Sequence, residues 1–153
     1  MRMDLRTVPM NGDHAQKILD WCFDGIYSFY SMRNWAEEEW DVTDPDNWRS
    51  IYAVLDGDEL VGEFSFTSTE RGLEIGLTMR PDLTGKGNGA AFMQASLDLA
   101  RSKYDHEVFI IRVWELNRRA LHTYQKAGFS IIGREKVMLN DMPFNFLTLT
   151  RHR

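Results

Sequence analysis

The pattern of apolar and polar side chains near the amino terminus predicts a strand that is followed by a helix. Residues 3–8, in which Met3 and Leu5 alternate with the polar Asp4 and Arg6, predict a short first strand. Four apolar positions then recur at helical spacing, at Ala15, Ile18, Leu19 and Cys22. This spacing places them on one face of a helix, and Asp13 with Gln16 resembles the capping box that begins such a helix.

A segment rich in aromatic and acidic side chains follows, at residues 23–48. We expect a second helix there and then a loop, with a turn at residues 44–46 around Pro45. Two interpretations of the segment stay open. Its acids and aromatic rings suit a cationic small molecule, whereas the same rings suit packing against a sheet and the same acids suit a solvated helix face.

Three strand-like segments in the middle of the chain predict an antiparallel meander, at residues 51–55, 60–67 and 73–79. The short polar connection Asp56–Glu59 contains Gly57 and is typical of a hairpin. A second short connection, residues 70–72, leads into the third strand. Pro81 ends that strand because proline has no N–H group to donate to a ladder.

The carboxyl-terminal half predicts two more helices and three more strands. The first helix begins in a glycine-rich stretch and continues to about Lys103. Residues 117–127 predict a short helix that stops at Gly128, because glycine readily takes the left-handed conformation that ends a helix. The strand patterns lie at residues 108–114, 130–139 and 144–150.

Together these elements have the order β-α-α-β-β-β-α-β-α-β-β. They predict an α/β (α+β) fold with a mixed, mostly antiparallel sheet of six to seven strands, flanked by about four helices. The length of 153 residues favours one domain, which we expect to span residues 1–153.

Composition narrows the classes of function. The chain has 18 Lys and Arg against 23 Asp and Glu, and this net charge of −5 disfavours a nucleic-acid-binding protein. No apolar run is long enough to cross a bilayer, and the first residues lack the apolar core of a signal peptide. The single cysteine, Cys22, excludes an internal disulfide framework. We therefore expect a cytoplasmic protein that binds neither nucleic acid nor a membrane.

Residues 83–92 carry the most specific chemical signal in the chain. Gly85, Gly87 and Gly89 alternate with polar residues, between the third strand of the meander and the helix that follows. Glycine adopts positive φ and lets a ligand approach the backbone closely. The start of a helix presents unpaired N–H groups and the positive end of its dipole. Together these features predict a phosphate-binding site.

Other kinds of glycine loop fit this stretch less well. A P-loop needs glycine at position 80 and a hydroxyl at position 87, where the chain has Arg80 and Gly87. A dinucleotide fingerprint is formally met by Gly85, Gly87 and Ala90, but it belongs after the first strand of a parallel βαβ unit. A structural glycine-rich turn stays open as an alternative.

A second motif, residues 117–129, directly follows the strand at residues 108–114. With it, the chain resembles the GCN5-related N-acetyltransferase (GNAT) superfamily over residues 3 to 150. That family pairs an [Arg/Gln]-x-x-Gly-x-Gly/Ala loop with a later helix that begins with Asn and carries Ala and Tyr before a Gly-Phe end. These motifs fall here on Thr84, Gly87 and Gly89, and on Asn117, Ala120, Tyr124, Lys126, Gly128 and Phe129.

The resemblance implies an N-acetyltransferase that moves an acetyl group from acetyl-CoA directly to a primary amine, with no metal. Acetyl-CoA would lie where strands 73–79 and 108–114 splay apart. The implied cofactor-binding residues are Leu77 and Met79 beside the pantetheine, Thr84, Gly85, Lys86, Gly87, Asn88, Gly89 and Ala90 around the pyrophosphate, and Asn117 and Lys126 on the later helix. Thr84 replaces the family's Arg or Gln, so we expect backbone amides, Lys86 and the helix dipole to anchor the phosphates.

The resemblance also suggests catalytic residues. Tyr124 is the candidate general acid, since a phenol can protonate the departing thiolate. It lies seven residues after Asn117 and therefore on the same helix face. The general base stays open between Glu74 on the cofactor strand, Glu63 on its hairpin partner and a chain of waters. Each glutamate also suits a solvated strand position.

The acceptor amine has no recognisable signature in the sequence. In this fold the segment from Trp21 to Trp48 would cover the acceptor end of the sheet, which is one of its two interpretations. A non-catalytic acyl-CoA-binding or sensor module of the same fold is the alternative function. A homodimer is compatible with the resemblance, because GNAT enzymes often dimerise.

Overall fold

A computed structural model describes residues 3–23, 41–139 and 141–153. Its seven strands are β1 Leu5–Pro9, β2 Ile51–Asp56, β3 Glu59–Thr69, β4 Gly72–Met79, β5 Val108–Trp114, β6 Ser130–Leu139 and β7 Met142–His152. They form one sheet with the strand order β1-β2-β3-β4-β5-β7-β6. The β4–β5 pair is parallel, whereas β1–β2, β2–β3, β5–β7 and β6–β7 are antiparallel. The predicted mixed, mostly antiparallel fold is confirmed.

Three α-helices lie in the described residues, namely α1 Gly12–Leu19, α2 Gly89–Lys103 and α3 Arg118–Lys126. Short 3₁₀ helices form at Pro45–Ser50 and Pro81–Leu83. The predicted second helix falls mainly on residues 24–40, which lie outside the described residues. None of the helices in the described ranges is long and apolar enough to span a membrane.

Two local predictions differ from the structure. The cap of α1 is Asn11, whose side chain accepts a hydrogen bond from the His14 N–H at 2.8 Å, so the expected capping box at Asp13 is wrong. The expected turn at residues 44–46 begins a 3₁₀ helix, because the Asp44 side chain accepts from the Asp46 N–H and caps it. In both places a short polar side chain two or three residues ahead satisfies the first free N–H groups.

The chain divides into two compact units, of which the first comprises Met1–Ser65 and Thr78–Thr84. Its core contains buried side chains from β1 to β3 and from α1, including Ile18, Ile51 and Leu60. Trp21 and Trp48 pack against this core. For these two rings, the structure therefore supports the packing interpretation of the aromatic segment.

The second unit comprises Phe66–Leu77 and Gly85–Arg153. Helix α2 buries one face, which includes Phe92 and Ser96. The guanidinium of Arg101 in α2 lies 5.8 Å from the ring centroid of Phe109 in β5. This unit carries the glycine-rich residues and the second motif, so most of the predicted site lies within it.

Candidate active site

The glycine loop adopts the backbone that its sequence predicts. Gly85 has φ +72° and Gly87 has φ +82°, both in the left-handed region that disfavours side chains. A Cβ placed on Gly87 would meet no atom of the described residues within 4 Å. The backbone at Gly87 is thus open to close approach by a ligand.

The start of α2 is suited to an anion. Its N-cap, Asn88, makes no side-chain capping hydrogen bond, while its carbonyl accepts from the Phe92 N–H at 3.1 Å. The N–H groups of the first turn, from Gly89 onward, therefore point out of the helix without a side-chain cap. Together with the exposed Lys86, these groups form a surface that is suited to a phosphate group.

The loop-start residue Thr84 has an internal role. Its hydroxyl donates to the Pro81 carbonyl at 2.8 Å, and its backbone N–H reaches the same oxygen at 3.3 Å. These bonds close the short 3₁₀ turn that links β4 to the loop. The Thr84 side chain is thus engaged with its own turn in this structure.

Helix α3 lies against the glycine loop through two residues one turn apart. A Cβ on Gly85 would lie 2.5 Å from Nη1 of Arg119, and a Cβ on Gly89 would lie 3.1 Å from Oγ1 of Thr123. The Thr123 hydroxyl donates to the Arg119 carbonyl at 3.0 Å. Sequence reasoning missed both residues, although their i, i+4 spacing places them on a single helix face.

The same helix carries the other predicted motif residues. Asn117 is its N-cap, and Oδ1 accepts from the Ala120 N–H at 3.3 Å. Tyr124 is half-buried, with its ring centroid 6.4 Å from that of Phe129 and the planes tilted by 59°. Lys126 is exposed in the last turn. Asn117 and Tyr124 each have a structural role here in addition to the functional role predicted for them.

Strands β4 and β5 pair over a short distance. Their parallel register joins Leu73 to Phe109 and Glu74 to Ile110, whereas β5 pairs with β7 along its whole length. Both strands continue past this register, and Leu77 and Met79 near the end of β4 are half-buried. The later part of β4 is where the resemblance implies pantetheine.

The candidate base Glu74 is held in an ion pair. Nε of Arg112 lies 2.7 Å from Oε1 of Glu74, and Nη1 of the same guanidinium contacts Glu135. All three side chains are partly exposed, with 29% of Glu74 accessible to solvent. The carboxylate of Glu74 is therefore engaged by a cation in water-accessible surroundings.

Glu63, the other candidate, has a contrasting environment. It is 2% exposed, so the prediction that it occupies a solvated strand position is wrong. Burial raises its pKa to about 7, and a hydrogen bond with the Thr78 side chain lowers the pKa by a smaller amount. Its Oε2 atom has no hydrogen-bond partner in the described residues. A carboxyl with this pKa can exchange protons near neutral pH.

Glu63 is also hydrogen-bonded to β4. Its hydrogen-bond partner, Thr78, lies in β4 between Leu77 and Met79, the two residues expected beside pantetheine. On β3 its neighbours Val61 and Phe64 are buried as well. Across the part of the chain that the structure describes, His, Cys, Asp and Glu side chains form no group of three that could hold a metal ion.

Comparison with known proteins adds independent findings. The model of the acetyltransferase (GNAT) family matches residues 13–129, which include the glycine loop and the Asn117–Phe129 motif. No sequence match was found among curated proteins.

Solved structures share the fold. A chimera of the spermidine N-acetyltransferase SpeG from Vibrio cholerae and hSSAT is 19% identical, with a TM-score of 0.75 over 97% of this chain and 95% of that one. Spermidine N-acetyltransferase from V. cholerae in complex with CoA and spermine is 18% identical, with a TM-score of 0.68 over 97% and 95%. The N-acetyltransferase PseH of Campylobacter jejuni is 19% identical, with a TM-score of 0.66 over 97% and 98%. At these identities the similarity shows the fold alone.

Proposed function

Because the chain belongs to the acetyltransferase (GNAT) family, we propose that it transfers an acetyl group from acetyl-CoA directly to a primary amine. The observation that carries this proposal is the open glycine loop at the uncapped start of α2, which is suited to a pyrophosphate. The fold is shared with N-acetyltransferases of small amines, including one in complex with CoA and spermine. Acetyl-CoA supplies the activated acyl group.

In this proposal the loop residues from Gly85 to Ala90 bind the pyrophosphate through backbone N–H groups. The start of α2 adds the positive end of its dipole, and Lys86 adds a full charge. The backbone at Leu77 and Met79 binds the pantetheine amides. The side chains of Asn117 and Lys126, at the two ends of α3, also contact coenzyme A. The loop therefore provides most of the affinity for acetyl-CoA, and β4 aligns the thioester.

We assign the general base to Glu63 in preference to Glu74. The attacking amine must lose a proton, and a base with a pKa near the working pH accepts it most effectively. Glu63 has a pKa of about 7, is shielded from water and is bonded to Thr78 near the end of β4. Glu74 shares its carboxylate with Arg112 and is partly exposed. A buried glutamate with a raised pKa suits proton transfer better than one neutralised by an ion pair.

Tyr124 acts as the general acid in the same proposal. The new C–N bond forms as the C–S bond breaks, the amine proton passes to Glu63, and the Tyr124 hydroxyl protonates the departing sulfur. Half-burial against Phe129 restricts the ring to few orientations. Solvent then restores the phenol proton.

We expect Tyr124→Phe to lower kcat by roughly tenfold or more, because it removes only the hydroxyl and keeps the ring packing. The KM for acetyl-CoA should change little. Steady-state kinetics with thiol-release detection measures both values. An unchanged kcat would show that Tyr124 is a packing residue alone, as its contact with Phe129 allows.

The function itself is tested by calorimetric titration with acetyl-CoA, together with a thiol-release assay over a panel of primary amines. Binding followed by amine-dependent thiol release supports the proposal. Binding without turnover on any amine favours the acyl-CoA-binding module. A protein that binds no acetyl-CoA would leave the glycine loop as a structural turn.

A further inference from the structure

The long side chain missing from the start of the glycine loop has a candidate replacement on α3. The family pattern places Arg or Gln where this chain has Thr84, and the Thr84 hydroxyl is bonded to the Pro81 carbonyl. The Arg119 side chain lies across the next residue of the loop. A Cβ at Gly85 would be 2.5 Å from Nη1, 3.6 Å from Cζ and 3.9 Å from Cδ of Arg119.

The close packing of Arg119 depends on the glycine. At Gly85 the backbone has φ +72°, and no side chain separates the loop from the guanidinium. One turn further along α3, Thr123 fits against Gly89 at the first residue of α2. The side chains of Arg119 and Thr123 thus lie next to the backbone at Gly85 and Gly89, which places the guanidinium beside the loop.

Arginine is well suited to this position. Its planar guanidinium offers several donors and keeps its charge at every physiological pH, so it binds phosphate oxygens through paired hydrogen bonds. An Arg–phosphate contact beside backbone N–H donors adds charge to a site that otherwise relies on dipoles and Lys86.

We propose that Arg119 binds the pyrophosphate of coenzyme A and supplies from α3 the cationic side chain that Thr84 does not. This inference rests on the proposed use of acetyl-CoA. It concerns binding only, so Arg119 has no part in proton transfer.

Calorimetric titration of wild type and Arg119→Ala with coenzyme A and with 3′-dephospho-coenzyme A tests the proposal. We expect the variant to weaken the binding of both ligands by about tenfold or more, since it removes a hydrogen bond between two charged groups. The two ligands should lose affinity equally, because both keep the pyrophosphate. The KM for acetyl-CoA should rise while kcat stays near that of wild type.

Arg118→Ala is the matched control. Arg118 is the neighbouring exposed arginine of the same helix and has the same charge, and its charge acts on Glu115. An equal loss of affinity in this variant would mean that net charge matters and not the contact with Gly85. Arg119→Gln keeps a polar side chain, which is shorter than that of arginine, and removes the charge, so it provides a second test if the alanine variant is unstable.

The other outcomes have distinct meanings. Wild-type affinity in Arg119→Ala or Arg119→Gln would overturn the proposal. Loss for coenzyme A alone, with 3′-dephospho-coenzyme A unaffected, would overturn it too, by assigning Arg119 to the 3′-phosphate. If the wild-type protein binds neither ligand, the proposed function itself is wrong. This outcome differs from one in which the wild type binds both ligands and Arg119→Ala binds them equally well.

Discussion

Glu63→Gln is expected to lower kcat by roughly a hundredfold or more, since a positioned general base typically contributes that much or more to the rate. Glutamine has nearly the same shape and can still bond with Thr78, but it cannot accept the amine proton. Steady-state turnover of the best amine found in the panel measures the effect. Circular dichroism and coenzyme A titration check that the variant folds and binds.

The companion variant Glu74→Gln decides between the two carboxylates. Loss of its ion pair with Arg112, whose side chain is partly exposed, should have a much smaller effect on kcat. A large loss in Glu74→Gln with little change in Glu63→Gln would transfer the role of base to Glu74.

The pH dependence of kcat/KM provides a second test of Glu63 as the general base. The base must be ionised to act, and the pKa of Glu63 is about 7 because of its burial. In the wild type, kcat/KM should therefore rise with pH and level off above about pH 7. In Glu63→Gln this limb of the profile should disappear, and its persistence would mean that another group titrates.

Gly87→Val is expected to raise the Kd for coenzyme A by roughly a hundredfold, whereas Thr84→Ala should change it by less than about threefold. Two effects combine at Gly87. A side chain there is strained at φ +82° by about 1–2 kcal/mol, and its atoms would extend over the open backbone that the pyrophosphate needs. Removal of the Thr84 hydroxyl costs mainly an internal bond to Pro81.

Gly57→Val controls for the strain alone. Gly57 lies in the β2–β3 turn, has φ +62° and is likewise open, because a Cβ placed there would meet no atom of the described residues within 4 Å. Valine at Gly57 should lower the melting temperature to a similar extent without changing the Kd. Calorimetry on all three variants gives the order of effects, and a larger loss in Thr84→Ala than in Gly87→Val would contradict this account of the loop.

Most strands and helices could be predicted from the sequence, because the patterns that mark their ends lie within short segments of the chain. The segments at residues 108–114 and 130–139 coincide with β5 and β6, since β-branched runs and flanking turns mark both ends. The cap of α1 was missed because Asn11 and Asp13 both suit the position, and only the hydrogen bond to His14 distinguishes them.

The chemistry of the site was only partly predictable. A solvated strand position was one expectation for Glu63, but β3 is a central strand and is buried continuously from Leu60 to Phe64. The contact between Arg119 and Gly85 joins residues 34 positions apart and depends on how α3 meets the loop. By contrast, the glycine loop and the Asn117–Phe129 motif could be predicted from the sequence, because the residues of each lie within one short segment.

The burial of Glu63 also makes the stability of the fold depend on pH. The unfolded chain releases this proton near the ordinary glutamate pKa of 4.5, and the folded chain releases it near 7. Between these values the folded state holds the additional proton, so the free energy of unfolding falls as pH rises and stays low above about 7. The loss is on the order of 3 kcal/mol, a large share of a domain's net stability. The difference in melting temperature between wild type and Glu63→Gln should therefore shift by roughly 6–12 °C between about pH 4 and pH 8. A base that works near neutral pH in this strand thus makes the fold less stable at the pH at which the base is active.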